Sequence, residues 1–133
     1  MHVGQHDLPP REIAKLGLDL LVGVSCNTEK QAMQLGQMES EGTLDASYFN
    51  IGPIYPTRTK VGLTEFIGPE AVARFSSHVS IPFTVMGGIK RDHVPELVSL
   101  GATRVAVVTA LTKAADIAGE TREWIQTIKR AGR

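Results

Sequence analysis

Two observations predict an α/β protein built on a parallel sheet. Short apolar runs alternate with helix-period segments along all 133 residues, the pattern of βα units rather than of a sandwich or a bundle. Every run after the first is followed at once by Gly, Ser or Thr, in Gly23-Val24-Ser25, Gly52-Pro53, Gly87-Gly88 and Thr109. That places small and hydroxyl residues at the C-terminal ends of strands. Open doubly wound sheets and (β/α)8 barrels both carry their ligand loops there. The five units form one domain over residues 1–133. They are either an open sheet or, if Gly87-Gly88 and Thr109 follow the seventh and eighth strands, the last five units of a (β/α)8 barrel.

The elements follow in order. Met1 to Gly4 is the first run, and Pro9-Pro10 opens a short helical segment. Leu20 to Val24 is the second run; Asn27-Thr28-Glu29 caps a helix that carries Ala32, Leu35 and Met38 and stops at Glu41-Gly42. Tyr48 to Ile51 is the third run, followed by a long loop from Gly52 to Gly68 and a helix opened by Pro69 with Ala71, Val72 and Phe75. Ile81 to Met86 is the fourth; Asp92 is expected to cap its helix, and Gly101 lies just past the end. Arg104 to Val108 is the fifth, before a final amphipathic helix with Ile117, Thr121, Trp124 and Ile128 on one face. Runs this apolar suit strands covered on both faces.

Composition narrows the function classes. Fourteen basic residues balance fourteen acidic ones, so no whole-molecule field steers nucleic acid or an anionic membrane, and any anion must be held locally. Residues 1–66 carry net −3 and residues 67–133 net +3. The single cysteine, Cys26, cannot form an internal disulfide, and no apolar stretch of ~18 residues is present. A reduced, cytoplasmic setting is expected. Cys26 has no charged neighbour to activate it, and His2, His78 and His93 show no metal-ligand spacing.

Four stretches carry chemistry. Gly87-Gly88 closes an apolar strand ahead of a helix, so backbone N–H groups can approach a phosphate; a turn of positive φ would call for the same glycines. Val107-Val108-Thr109-Ala110 adds a hydroxyl and amides in the neighbouring loop. Gly52-Pro53-Ile54-Tyr55-Pro56-Thr57-Arg58-Thr59-Lys60 is longer than a connection requires. Thr57 and Thr59 can donate to phosphate oxygens, and Lys60 offers a compact positive charge; a solvated Pro/Thr-rich turn is the alternative. Asp7 follows the first run, either as a turn residue or as a carboxylate facing phosphates through Mg²⁺. Ser25 is likewise a helix-entry or a substrate hydroxyl.

Taken in order, His2-Val3-Gly4-Gln5 with Asp7, Gly23-Val24-Ser25, Gly52 to Thr57 with Thr59-Lys60, Gly87-Gly88-Ile89 and Val107 to Ala110 resemble the second part of the thiamine phosphate synthase family, up to about residue 112. The resemblance implies a (β/α)8 barrel joining hydroxymethylpyrimidine diphosphate to hydroxyethylthiazole phosphate, with Mg²⁺ and release of pyrophosphate. It makes Asp7 the second of two Mg²⁺ carboxylates, Ser25 a hydroxyl beside the pyrimidine and diphosphate, and Lys60 the diphosphate lysine. Thr57, Thr59, Gly88, Val108 and Thr109 resemble the thiazole phosphate site, Thr109 standing where serine is common and Asn27 where many relatives have histidine.

On this reading the chain begins at the fourth strand. The first three βα units, with a cationic diphosphate segment and the first Mg²⁺ carboxylate, are expected to be missing. Five of eight strands would leave two open sheet edges and an uncovered apolar interior. Either the sequence is a fragment or a mis-started reading frame, or self-association or a complementing chain is expected alongside the small-molecule substrates; turnover by this chain alone is expected to be impaired. A thiazole tautomerase of the same superfamily uses a histidine near Asn27, which Asn27 cannot replace. A non-catalytic thiazole phosphate-binding fragment is the other alternative.

Overall fold

The computed structural model describes residues 1–57 and 65–133. Five strands, β1 (His2–Val3), β2 (Gly23–Cys26), β3 (Tyr48–Ile51), β4 (Phe83–Met86) and β5 (Val105–Ala106), form one parallel sheet in sequential order. Between and after them lie helices α1 (Pro10–Ala14), α2 (Glu29–Ser40), α3 (Ala71–Ser76), α4 (Val94–Ser99), α5 (Thr109–Thr112) and α6 (Ile117–Ala131). A sequential, all-parallel order is that of a barrel wall; an open doubly wound sheet reverses its order at a switch point.

Four strands are shorter than their apolar runs, β1 among them because only His2 and Val3 pair with β2. β2 starts at Gly23 because its neighbours on both sides, His2 and Tyr48, start there. Leu20 and Leu21 fall outside the ladder, and Leu21 is 76% exposed. β4 starts at Phe83, opposite Phe49. β5 keeps only Val105–Ala106, paired with Val85 and Met86, before the backbone turns into α5 at Val108.

The helix boundaries are chemical. Thr28 caps α2 in a reciprocal arrangement, its Oγ1 accepting from the Gln31 N–H while the Gln31 side chain accepts from the Thr28 N–H. At the end of α4, the Gly101 N–H donates to Val98 O and the Ala102 N–H to Leu97 O, both at 2.9 Å, closing a Schellman motif. The expected Asp92 cap does not form. Asp92 lies in a 3₁₀ turn (Arg91–His93) with its side chain 80% exposed, and His93 Nδ1 instead accepts the Lys90 N–H at 3.1 Å. Asp116 caps α6 through the Gly119 N–H at 2.9 Å.

One face of the sheet is fully packed. Val3, Val24, Phe49, Ile51 and Val85 join Ala32 of α2, Val72 and Phe75 of α3, Val94 and Leu97 of α4 and Trp124 of α6 in one core. Ile117, expected on the buried face of α6, is 54% exposed; that face begins in practice at Trp124. The opposite face differs from the expected apolar interior. Its residues His2, Tyr48, Asn50, Thr84, Met86 and Ala106 border an open cavity of about 440 Å³. Polar groups there satisfy one another, the Asn50 amide donating to Thr84 Oγ1 at 2.6 Å. The two faces alternate along β3 and β4, so one strand can present Phe49 and Ile51 to the helices and Tyr48 and Asn50 to the interior. β1 and β5 each pair with a single strand among the described residues, which leaves two sheet edges open.

Candidate functional site

The loops that follow β2 to β5 meet at the C-terminal end of the sheet around a cavity of about 560 Å³. Parallel strands deliver them side by side, and backbone contacts then lock two of them together. The loop after β3 continues the ladder onto the end of β4, the Ile54 N–H donating to Met86 O at 3.0 Å and the Tyr55 N–H to Gly87 O at 2.9 Å. Ile54 is buried beneath it. Gly88, at φ +62°, lies so close that a Cβ there would collide with the backbone carbonyls of Tyr55 and Pro56. Only glycine allows both the turn and the approach.

Tyr55 pins the same loop to α4. Its hydroxyl donates to Glu96 Oε2 at 2.9 Å, and its ring stacks on His93 with centroids 3.9 Å apart. Burial first and Glu96 second push the phenol well above its ordinary range, so it stays a donor. Asn27 ties the β2 loop to the β3 loop through its amide, which donates to Gly52 O at 2.6 Å.

The structure brings Ser25, Thr57, Gly88, Val108 and Thr109 to the wall of this one cavity. Thr109 opens α5, and Val108 O accepts the Leu111 and Thr112 N–H groups at 3.0 and 2.9 Å. Thr59 and Lys60 lie outside the described residues. Asp7 is not on the cavity wall. It closes its own turn, its Oδ2 accepting the Gly4 N–H at 2.7 Å, and its Oδ1 makes no hydrogen bond among the described residues. No cluster of three or more His, Cys, Asp or Glu able to hold a metal occurs among the described residues.

Sequence reasoning missed two features. The first is the chain His2–Ser25 and His2–Tyr48. His2 Nε2 is 3.0 Å from Ser25 Oγ and His2 Nδ1 is 3.2 Å from the Tyr48 hydroxyl, while Gln5 Nε2 donates to Ser25 O at 2.7 Å. The pairing register was the signal, since it aligns His2 with Gly23 and Gly23 with Tyr48. Gly23 lacks a side chain, and the Tyr48 ring occupies the space where a Cβ would stand. Burial of the imidazole lowers the His2 pKa from 6.5, the amino terminus acts in the same direction, and Asp7 opposes both. The second feature is a pair of lysines, Lys90 and Lys113, on the cavity wall.

Cys26 stays out of the site. It is fully buried, and its thiol is pushed up to about 11 by that burial, which fits an inert core residue. Among the described residues, no helix is long and apolar enough to cross a membrane.

Comparison with known proteins now bears on this geometry. A thiamine-phosphate synthase from Shouchella clausii is 34% identical over 132 residues, covering 98% of this chain and 60% of the relative. One from Lawsonia intracellularis is 33% identical over 129 residues, covering 96% of this chain and 57% of the relative. Among solved structures, thiamine phosphate pyrophosphorylase from Pyrococcus furiosus superposes with a TM-score of 0.80 at 25% identity, over 98% of this chain and 59% of that one. The chain thus spans about 60% of the length of the curated relatives it matches, and the five-stranded sheet is a partial (β/α)8 barrel. The family model for thiamine monophosphate synthase matches residues 1–111, a span that holds every strand and all of the described cavity wall except Lys113, and the chain belongs to that family.

Proposed function

We propose that this chain carries the thiazole phosphate side of a thiamine phosphate synthase, and that within a completed barrel it takes part in joining hydroxymethylpyrimidine diphosphate to hydroxyethylthiazole phosphate. The observation that carries the reading is the convergence of Ser25, Thr57, Gly88, Val108 and Thr109 on one cavity at the C-terminal ends of parallel strands. In the reaction, the bond between the pyrimidine methylene and the diphosphate oxygen breaks, and its electron pair leaves with pyrophosphate. The thiazole nitrogen lone pair then forms the new C–N bond. Negative charge grows on the leaving oxygens, so fixed donors aimed there supply much of the rate. The β4 and β5 loops hold the thiazole phosphate, and the interlock of the β3 and β4 loops helps to position the nitrogen. Ser25, held by His2, donates toward the pyrimidine diphosphate. Lys60, on the sequence resemblance, is assigned to the leaving diphosphate.

Mg²⁺ is proposed as a cation shared between Asp7 and the substrate diphosphate. The unbonded Oδ1 of Asp7 offers one carboxylate oxygen, and a hard cation that keeps waters and substrate phosphates needs only one or two from the protein. When bound, it would neutralise diphosphate charge. The remaining metal and diphosphate groups would come from further βα units that pair with the open edges of β1 and β5. Cys26, buried and unpaired, suits a reducing cytoplasm. A tautomerase role is disfavoured because the Asn27 amide is committed to Gly52 O and has no group that titrates near neutral pH to act as acid or base. A binding-only role is favoured instead if the 60% span is all that acts.

The test is titration of residues 1–133 with hydroxyethylthiazole phosphate, followed by a Mg²⁺-dependent assay for thiamine phosphate with and without a three-unit βα chain. Binding with slow turnover that the added chain accelerates is the expected result. Absence of binding by folded protein refutes the reading, and binding with no turnover under either condition leaves the binding-only role.

A further inference from the structure

The cavity at the strand ends has an electrostatic character that the chain as a whole lacks. The protein is formally neutral, yet among the described residues two lysines and no carboxylate border this space. Each lysine follows directly from one of the two loops that abut through β4 and β5. Lys90 comes two residues after Gly88, behind the buried Ile89, and its backbone is fixed by the 3.1 Å bond to His93 Nδ1. Lys113 ends α5 four residues after Thr109, its N–H donating to Thr109 O at 3.3 Å. Neither ammonium has an ion-pair partner among the described residues. The carboxylates nearest in sequence are turned elsewhere: Asp116 caps α6, and the Asp92 side chain is 80% exposed, 4.0 Å from His93 Nε2.

Backbone amides and a threonine hydroxyl orient a phosphate without neutralising it. A phosphomonoester dianion drawn out of water into a neutral cradle loses hydration that such donors replace only in part, and point charges on flexible stems close that deficit. Resting on the thiazole phosphate reading above, we propose that Lys90 and Lys113 form a cationic clamp for a phosphomonoester dianion seated between the Gly87-Gly88 and Val108-Thr109 loops. The clamp selects the phosphorylated azole over its free alcohol.

Calorimetric titration of the parent, Lys90→Gln, Lys113→Gln and the double variant tests this, using hydroxyethylthiazole phosphate, its unphosphorylated alcohol and inorganic phosphate. Each single variant is expected to weaken the ester about tenfold and the double variant about a hundredfold, the scale of one charge-assisted hydrogen bond per lysine. Alcohol affinity stays level, Lys113→Arg restores ester binding, and added salt weakens the parent more than the double variant. Both lysines are exposed, so thermal midpoints are expected to hold. Ester binding that is equal in parent and double variant overturns the clamp while leaving the thiazole reading intact. Phosphate binding by the parent alone, with no ester binding, supports the clamp and refutes the thiazole reading. Failure of the parent to bind ester or phosphate overturns both.

Discussion

Gly88→Ala is the perturbation that most directly probes how the site is built, because the cost has two separable parts. At φ +62° an L-residue occupies the left-handed region, at about 1–2 kcal/mol. The new methyl would also strike the carbonyls of Tyr55 and Pro56, which are backbone atoms and cannot swing aside. Relief requires the β3 loop to withdraw, giving up the Ile54–Met86 and Tyr55–Gly87 hydrogen bonds at about 1 kcal/mol each. The total is about 3–4 kcal/mol, or roughly 10–15 °C in thermal midpoint for a chain of this size. Gly101→Ala provides the control. Its φ of +101° is at least as unfavourable for alanine, but nothing lies within 4 Å of the added carbon, so only the backbone part of about 1–2 kcal/mol is expected. Circular dichroism melts of both variants, with urea titrations to verify a single transition, measure the difference. Equal losses in the two variants would refute the interlock, and a Gly88→Ala protein that melts normally and binds phosphate ester normally would remove it from the site.

Other expected outcomes are simpler to read. The His2 pKa lies below 6.5 in the fold, so the unfolded chain binds the proton more readily; the stability due to neutral His2 is complete above pH 6.5 and is lost as pH falls through the folded value. Urea midpoints measured against pH should therefore decline on acidification in the parent and decline less in His2→Gln; a steeper decline in the variant contradicts the assignment. Cys26, fully buried with its thiol pushed up to about 11, should resist alkylation in native protein at pH 8 and react only on unfolding. Rapid labelling without loss of structure would show that the core opens at β2.

The parallel α/β architecture was legible because periodicity and strand-end glycines report directly on chain geometry. Gly101 and Gly42 were legible as helix stops for the same reason, and both sit at positive φ. Strand limits were not, since Leu20 and Leu21 have the composition of a strand but no partner on which to form a ladder. The polar inner face was hidden too: a run such as Tyr48-Phe49-Asn50-Ile51 looks uniformly strand-like until the register assigns alternate residues to opposite faces. The cavity loops could be named from their small and hydroxyl residues. Lys90, Lys113 and His2 could not, because an isolated cation or imidazole gains meaning only from the groups that tertiary pairing sets beside it.

The distribution of contacts explains why a partial barrel can still hold a formed site. The core packing of β1–β5 lies on the helix-facing side, where buried residues from α2, α3, α4 and α6 cover it. The ligand loops are braced by bonds among themselves: Asn27 to Gly52, Ile54 to Met86, Tyr55 to Gly87 and to Glu96. The inner face, bordered by Tyr48, Asn50, Thr84 and Met86, lacks such closure and stands beside two strand edges. On the proposed reading, preorganisation of the loops at the ends of β2, β3 and β4 is therefore local, whereas closure of the inner face depends on strands that pair with β1 and β5. Binding of the thiazole phosphate and turnover should in consequence separate, since the first requires only contacts already made and the second requires the open wall to be filled.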